Sequence, residues 1–244
     1  MKAKAKASAP KATNDVRDVV AHLRKVGSKS VRDGMARYAI PATNAVGISV
    51  GVLRAYAKKL GRDHALALAL WKDGLYEARM LACFVDDPEE VTGAQMEAWC
   101  RDFDSWAICD TACFALFDRT PHAWAKVTAW AGRREEFQKR AAFALLASLA
   151  VHDKEGEDGP FLRALGLVEK AADDERNFVT KGVNWALRTI GKRSAILHAA
   201  AVDAAQRLAA SPDPARRWVG KDALRDLASP AVARRLTARA RKRA

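Results

Sequence analysis

Two short stretches of the chain hold residue types that can do chemistry. The first is Trp106-Ala107-Ile108-Cys109-Asp110. A helix is predicted over 105–117, with Asp104 or Ser105 as its cap, and it places Trp106 and Asp110 four apart on one face. The carboxylate has Ile108, Cys109, Ala112 and Cys113 for neighbours, company in which a buried charge is costly without a partner. Two readings follow. Trp106 is a core indole and Asp110 is bonded to a basic residue of the next helix, or Asp110 stands unpaired and exposed beside an aromatic wall in a groove. In the second case the pair can hold a sugar and stabilise positive charge developing at its anomeric carbon. The second stretch is Asn184-Trp185-Ala186-Leu187-Arg188, with Arg176, Lys181, Lys192 and Arg193 on or beside the same helix. Cations interleaved with an indole suit a sugar–phosphate backbone. An amphipathic helix with a core Trp and a solvated basic face would read the same way.

Other chemistries lack their residues. There is no phosphate-binding glycine loop, no His-Glu-x-x-His and no Gly-x-Ser-x-Gly. The five histidines are scattered without an i, i+4 pair. Cys83, Cys100, Cys109 and Cys113 form no Cys-x-x-Cys pair and sit among apolar residues, so they read as small buried hydrophobes. No metal and no cofactor is expected.

The elements that must carry these residues are helices. Half of the 244 residues are hydrophobic, and glycine and proline are sparse at 14 and 8. Apolar spacing of i, i+3, i+4, i+7 places Val16, Val19, Val20 and Leu23 on one helix, and Val52, Leu53, Tyr56 and Leu60 on another. No period-2 strand is seen, and no apolar run reaches the roughly 18 residues of a membrane span. A degenerate repeat emerges when aromatic residues are aligned. Tyr76-x-x-Arg79, Trp106-x-x-Cys109, Phe137-x-x-Arg140, Phe178-x-x-Lys181 and Trp218-x-x-Lys221 recur at intervals of 30, 31, 41 and 40. One such period holds two helices and two turns. The predicted fold is an all-α, HEAT-like helical-pair solenoid, curved, with a basic concave face lined by second helices; an irregular helical bundle is the other option.

Charge is concentrated at the ends. The net charge is +13, and ten of those charges lie in 1–14 and 231–244, neither of which holds an acid. The chain is divided into a basic disordered tail at 1–14, a single repeat domain at 15–228 and a basic C-terminal helix or tail at 229–244. Basic tails suit a polyanion, most simply nucleic acid. The first residues lack the apolar stretch of a secretory signal, which points to a reduced cytoplasmic setting.

With these residues in place the chain resembles the AlkD family of bacterial DNA alkylation repair glycosylases, over about 15–228. Met35-Ala36-Arg37-Tyr38 followed by Val46-Gly47-Ile48 is similar to the family's N-terminal helix, whose tyrosine contacts DNA at the lesion. Ser105-Trp106-x-x-x-Asp110 resembles its catalytic Trp and Asp, and Lys139-Arg140-Ala141-Ala142 the segment with its active-site arginine. Trp185-Ala186-Leu187-Arg188 resembles its second DNA-facing tryptophan and a phosphate-binding arginine. The two tails have no counterpart in the family core, and Ala107 stands where some members carry an acid or an aromatic residue.

The resemblance implies a monofunctional glycosylase, a monomer, that hydrolyses the N-glycosidic bond of N3- or N7-alkylated purines in double-stranded DNA. It implies Asp110 and Trp106 as catalytic, and Tyr38, Arg140, Trp185, Arg188 and Lys181 as DNA-binding. Its setting would be the cytoplasm, associated with the nucleoid. The alternative is a non-catalytic HEAT-repeat binder of damaged or branched DNA.

Overall fold

The computed structural model describes residues 15–154 and 156–243. The segment 1–14, for which composition predicts disorder, lies outside the described residues. Every regular element among the described residues is helical. They fall into two compact units, one of 15–34 with 42–86 and one of 35–41 with 87–243.

The first unit contains α1 (Val16–Val26), α2 (Lys29–Gly34), α3 (Val50–Leu60), α4 (His64–Asp73) and α5 (Tyr76–Val85). Asp15 caps α1 by accepting from the Arg17 backbone N–H, and the helix buries Val19, Val20 and Leu23. α3 buries Leu53 and Ala57, whereas Val52, predicted on that apolar stripe, is 52% exposed. Val52 and Leu53 lie a residue apart, about 100° around the helix, and the contact surface covers only one of them. α5 packs against both α3 and α4. Its second residue, Glu77, is completely buried, and it accepts from the backbone N–H groups of Val46, Gly47 and Ile48 at 3.0, 2.7 and 3.3 Å. Gly47 adopts φ +84°, and a Cβ there would lie 2.2 Å from the Ser28 carbonyl oxygen, so only glycine fits this loop.

The second unit begins with a single 3-10 turn, Met35–Tyr38, where the family resemblance implies a helix. It continues with α6 (Gly93–Arg101), α7 (Trp106–Ala115), a second 3-10 turn (Phe117–Arg119), α8 (Ala123–Trp130) and α9 (Glu136–His152). Then follow α10 (Asp158–Ala171), α11 (Asn177–Ile190), α12 (Ala195–Ala209), α13 (Pro214–Leu227) and α14 (Pro230–Arg243). Second helices neighbour one another in the order α7, α9, α11, α13; α8 packs on α9, α10 on α11 and α12 on α13. This is the helical-pair repeat read from the aromatic spacing. Tyr76 and Trp106 open α5 and α7, Phe137 and Phe178 are second in α9 and α11, and Trp218 is fifth in α13.

α9 is the hub of this unit. Every residue from Arg140 to Ala150 is buried, because α7 and α11 flank it and α8 backs it. Ala141, Ala144 and Ala147 keep the flanking helices close, while Phe143, Leu145 and Leu146 supply apolar area, each worth about 1.5–3 kcal/mol when buried. At the far end Gly220 lets α13 close on α12, since a Cβ there would meet the Ala209 backbone nitrogen at 2.2 Å. Among the described residues no helix is long and apolar enough to cross a membrane.

Candidate nucleic-acid interface

Start with α7. Trp106, Asp110 and Phe114 follow at i, i+4 and i+8 and so form one stripe, while Ala107, Ile108, Cys109, Ala112 and Cys113 on the other faces are buried. Ser105 holds the N-cap position, but its hydroxyl makes no capping bond. All four cysteines are buried.

Asp110 is neither exposed nor unpaired, which corrects one of the two readings of this residue. Arg140, reaching over from α9, grips it with both ends of the guanidinium: Nε to Oδ1 at 2.8 Å and Nη2 to Oδ2 at 2.7 Å. The third nitrogen, Nη1, donates to the Phe178 carbonyl oxygen of α11 at 2.6 Å. Arg140 therefore ties three second helices together. Its side chain is 8% exposed and that of Asp110 19%, so one side of the carboxylate still meets solvent. A carboxylate has about four lone-pair sites and the guanidinium takes two, which leaves two to meet a ligand or water. Burial pushes the Asp110 carboxyl above the ordinary aspartate range, and Arg140 opposes that rise. Burial also weakens the charge on Arg140, and Asp110 more than restores it.

One turn before Asp110, the indole of Trp106 is fixed by a bond from its Nε1 to the Tyr38 carbonyl oxygen at 2.8 Å. That carbonyl belongs to the Met35–Tyr38 turn, which closes on Ala39 in the left-handed region at φ +52°. For a non-glycine residue this conformation costs on the order of 1 kcal/mol, and it leaves Tyr38 67% exposed. Between the turn and α11 lies a cavity of about 500 Å³, lined by Tyr38, Arg37, Trp106, Arg140, Asn177 and Lys181 among others.

Asp110, Trp185 and Arg188 are not among the residues that line that cavity; Asp110 is joined to it through Arg140, which does line it. On α11, Phe178, Lys181, Trp185 and Arg188 succeed one another at intervals of three and four, and they form the helix's accessible stripe. Trp185 stacks on Phe114 of α7 with ring centroids 6.1 Å apart and 22° between planes. Phe114 in turn meets His152 edge-on at 4.2 Å, and His152 Nδ1 is bonded to the buried Asp118 carboxylate. Arg188 approaches Asp222 of α13 at 3.5 Å. The α7 and α11 stripes thus meet twice, through Arg140 and through the Phe114–Trp185 stack. Sequence reading missed Phe114, Asn177 and Arg37. The i, i+4, i+8 series from Trp106 carried the signal for Phe114; nothing local marked the other two.

An indole and a clamped carboxylate on one second helix, with cations on the next, stand on a helical-repeat scaffold. The chain belongs to the DNA alkylation repair enzyme family, whose model matches residues 19–227. Among solved structures it is similar to a protein described as one of a new family related to the HEAT-like repeat DNA glycosylases, with affinity for branched DNA structures. That likeness has a TM-score of 0.72 at 18% identity and covers 87% of this chain and 95% of the other, so it establishes a shared fold. No curated protein matches the chain.

Proposed function

We propose that this protein is a monofunctional DNA glycosylase that releases N3- and N7-alkylated purines from double-stranded DNA, acting as a monomer. The observation that carries the reading is the Asp110 carboxylate, held at 2.7 and 2.8 Å by Arg140 and partly open to solvent, one helical turn from the Trp106 indole. Breaking the N-glycosidic bond builds positive charge on the sugar. A purine alkylated at N3 or N7 is already cationic and leaves without being protonated, so no general acid is required. What the reaction needs is negative charge at the sugar and an acceptor that orients water. The open lone pairs of Asp110 supply both. Arg140 fixes the carboxylate's orientation, so little reorganisation is needed as charge develops. Trp106 offers a flat wall for the sugar. Lys181 and Arg188 meet phosphates, and Trp185 packs on sugar or base. Lys181, the amine among these residues, is assigned to a phosphate and not to the sugar, so the reading expects no strand cleavage.

The second reading is a binder of branched or damaged DNA without catalysis. It is favoured by the affinity described for the structural relative and by the neutralisation of Asp110 in its ion pair. Release of free methylated base from alkylated duplex DNA, followed by chromatography, separates the two. The glycosylase reading expects 3-methyladenine and 7-methylguanine to appear, with strand breaks only after alkali. It also expects Asp110→Asn to abolish release while duplex binding persists. Full binding with no release by the native chain would establish the second reading.

A further inference from the structure

The repeat that places Phe178 and Lys181 on α11 recurs on α13 as Trp218 and Lys221, and the proposed reaction gives that second stripe no role. Trp218 is the most exposed tryptophan among the described residues, at 46%, and it is one of few large apolar side chains there so open. It sits at the fifth position of α13, beyond the Asp213 cap and Pro214. Lys221 and Arg225 follow at i+3 and i+7, both exposed, and Asp222 lies between them on the same face.

α13 lies beside α11, and Asn184 of α11 donates to the Val219 carbonyl oxygen at 3.2 Å. Asp222 is reached by Arg188 from α11 and by Arg225 from its own helix. Arg188 shares its face with Trp185 and Lys181, and Asp222 shares its face with Trp218 and Arg225. The stripes of the two helices are therefore joined edge to edge at the Arg188–Asp222 contact. Asp222 and, one turn on, Asp226 are the acids described at this junction; Arg188 and Arg225 meet the first and Lys192 the second at 2.5 Å, and with Lys221 four cations stand against two carboxylates. The α13 stripe continues the α11 stripe; the excess positive charge belongs to the joined surface, through Arg188 and Lys192 as well as Lys221 and Arg225, and an exposed indole stands at the start of α13.

We infer that α13 binds a single-stranded segment of DNA adjoining the duplex held at α7–α11. Lys221 and Arg225 contact its phosphates, and the Trp218 indole stacks on an unpaired base. Duplex DNA offers an exposed indole no base face, because its bases are already stacked on each other. An unpaired strand does, and stacking of one base on an aromatic side chain is sequence-tolerant. The inference rests on the reading that the α11 stripe faces DNA, but not on whether Asp110 catalyses base release.

The test compares the full chain with Trp218→Ala and with Lys221→Ala/Arg225→Ala on three DNAs: a blunt duplex, the same duplex with a ten-nucleotide overhang, and a fork. The native chain is expected to bind overhang and fork tighter than blunt duplex by on the order of tenfold. Trp218→Ala is expected to erase that preference while leaving blunt-duplex affinity within about twofold. The double cation variant should flatten the salt dependence on the overhang and weaken overhang and fork, while blunt-duplex affinity stays within about twofold. Equal affinity of the native chain for blunt and overhang DNA overturns the inference, as does a preference that survives Trp218→Ala. Sedimentation showing that Trp218→Ala converts a dimer to a monomer overturns it too, since the indole would then belong to an interface between copies. Methylated-base release from blunt duplex by both variants at saturating enzyme reports separately on the glycosylase reading and is expected to stay at the native rate.

Discussion

The two Trp-and-charge motifs look alike in sequence and are held in opposite ways. At the α7 end the indole N–H and both carboxylate oxygens are pinned. Trp106 Nε1 is tied to the Tyr38 carbonyl, and Asp110 is gripped at both oxygens by a buried arginine that also bonds to α11. At the α11 end Trp185 has only a face-on contact with Phe114, and Arg188 has one 3.5 Å approach to an aspartate that it shares with Arg225. The first arrangement suits a group that must hold one position while charge develops. The second suits contact with a flexible polyanion, where side chains must follow the phosphates.

If that contrast is correct, substitutions at the two ends should fail in different assays. The largest effect is expected for Asp110→Asn: base release at saturating enzyme should fall by roughly 10²–10³-fold, the scale for loss of one electrostatic stabiliser. Because Asp110 is paired, stability should also drop, by about 1–3 kcal/mol, as Arg140 loses a charged partner. Duplex affinity should change little. A variant that unfolds would be replaced by Arg140→Lys, which keeps the charge and loses the two-pronged grip; its release rate should fall while binding is retained.

Next is Trp106→Phe, which removes the indole N–H and keeps an aromatic wall. A net hydrogen bond is worth about 0.5–1.5 kcal/mol, so a corresponding loss in melting free energy is expected together with a slower release rate. An unchanged rate and stability would show that the bond to Tyr38 positions nothing. At the other end, Lys181→Ala and Arg188→Ala should each reduce the slope of log K against log salt by about one phosphate contact. Neither should alter release at saturation by more than about threefold. A collapse of saturated release in Arg188→Ala would erase the proposed contrast between the two ends.

Two pH effects follow. In the proposed reaction Asp110 acts as a carboxylate, and burial raises its pKa, so release should be lost on acidification at a less acidic pH than an ordinary aspartate, near 4, would give. Asp110→Asn should have no such limb. Glu97 of α6 behaves in the reverse sense. It accepts from Lys126 Nζ at 2.7 Å and Trp130 Nε1 at 2.9 Å and is paired with Arg133. Against the cost of burial these donors lower its pKa to about 2. A carboxylate depressed in the folded state contributes stability that is complete above its unfolded value and lost as pH falls toward the folded one. Urea unfolding of the native chain should therefore weaken between about pH 4.5 and 2, and Glu97→Gln should remove part of that slope. The smallest effect is expected from deleting 1–14: four lysines outside the candidate site should add salt-dependent affinity for any duplex and leave release at saturation unchanged.

Local chemistry was enough for much of this. Aromatic spacing gave the helical pairs, Asp15, Asp213 with Pro214 and Gly74 mark helix ends in the expected manner, and Trp106 and Asp110 had to share a face once α7 formed. These depend on periodicity and capping, which act within a few residues. Three other features needed the folded chain. Asp110 could be bare or paired with equal ease in sequence, and only the passage of α9 between α7 and α11 put Arg140, thirty residues away, against it. The Met35–Tyr38 segment, a helix by family resemblance, is a single 3-10 turn whose last carbonyl meets an indole 68 residues later. Val52 and Leu53 have nearly the same hydropathy, and which of them is covered depends on the direction from which α5 arrives. Hydrogen bonds and packing between residues far apart in the chain have no local signature, because the partner's identity is fixed by where another helix runs.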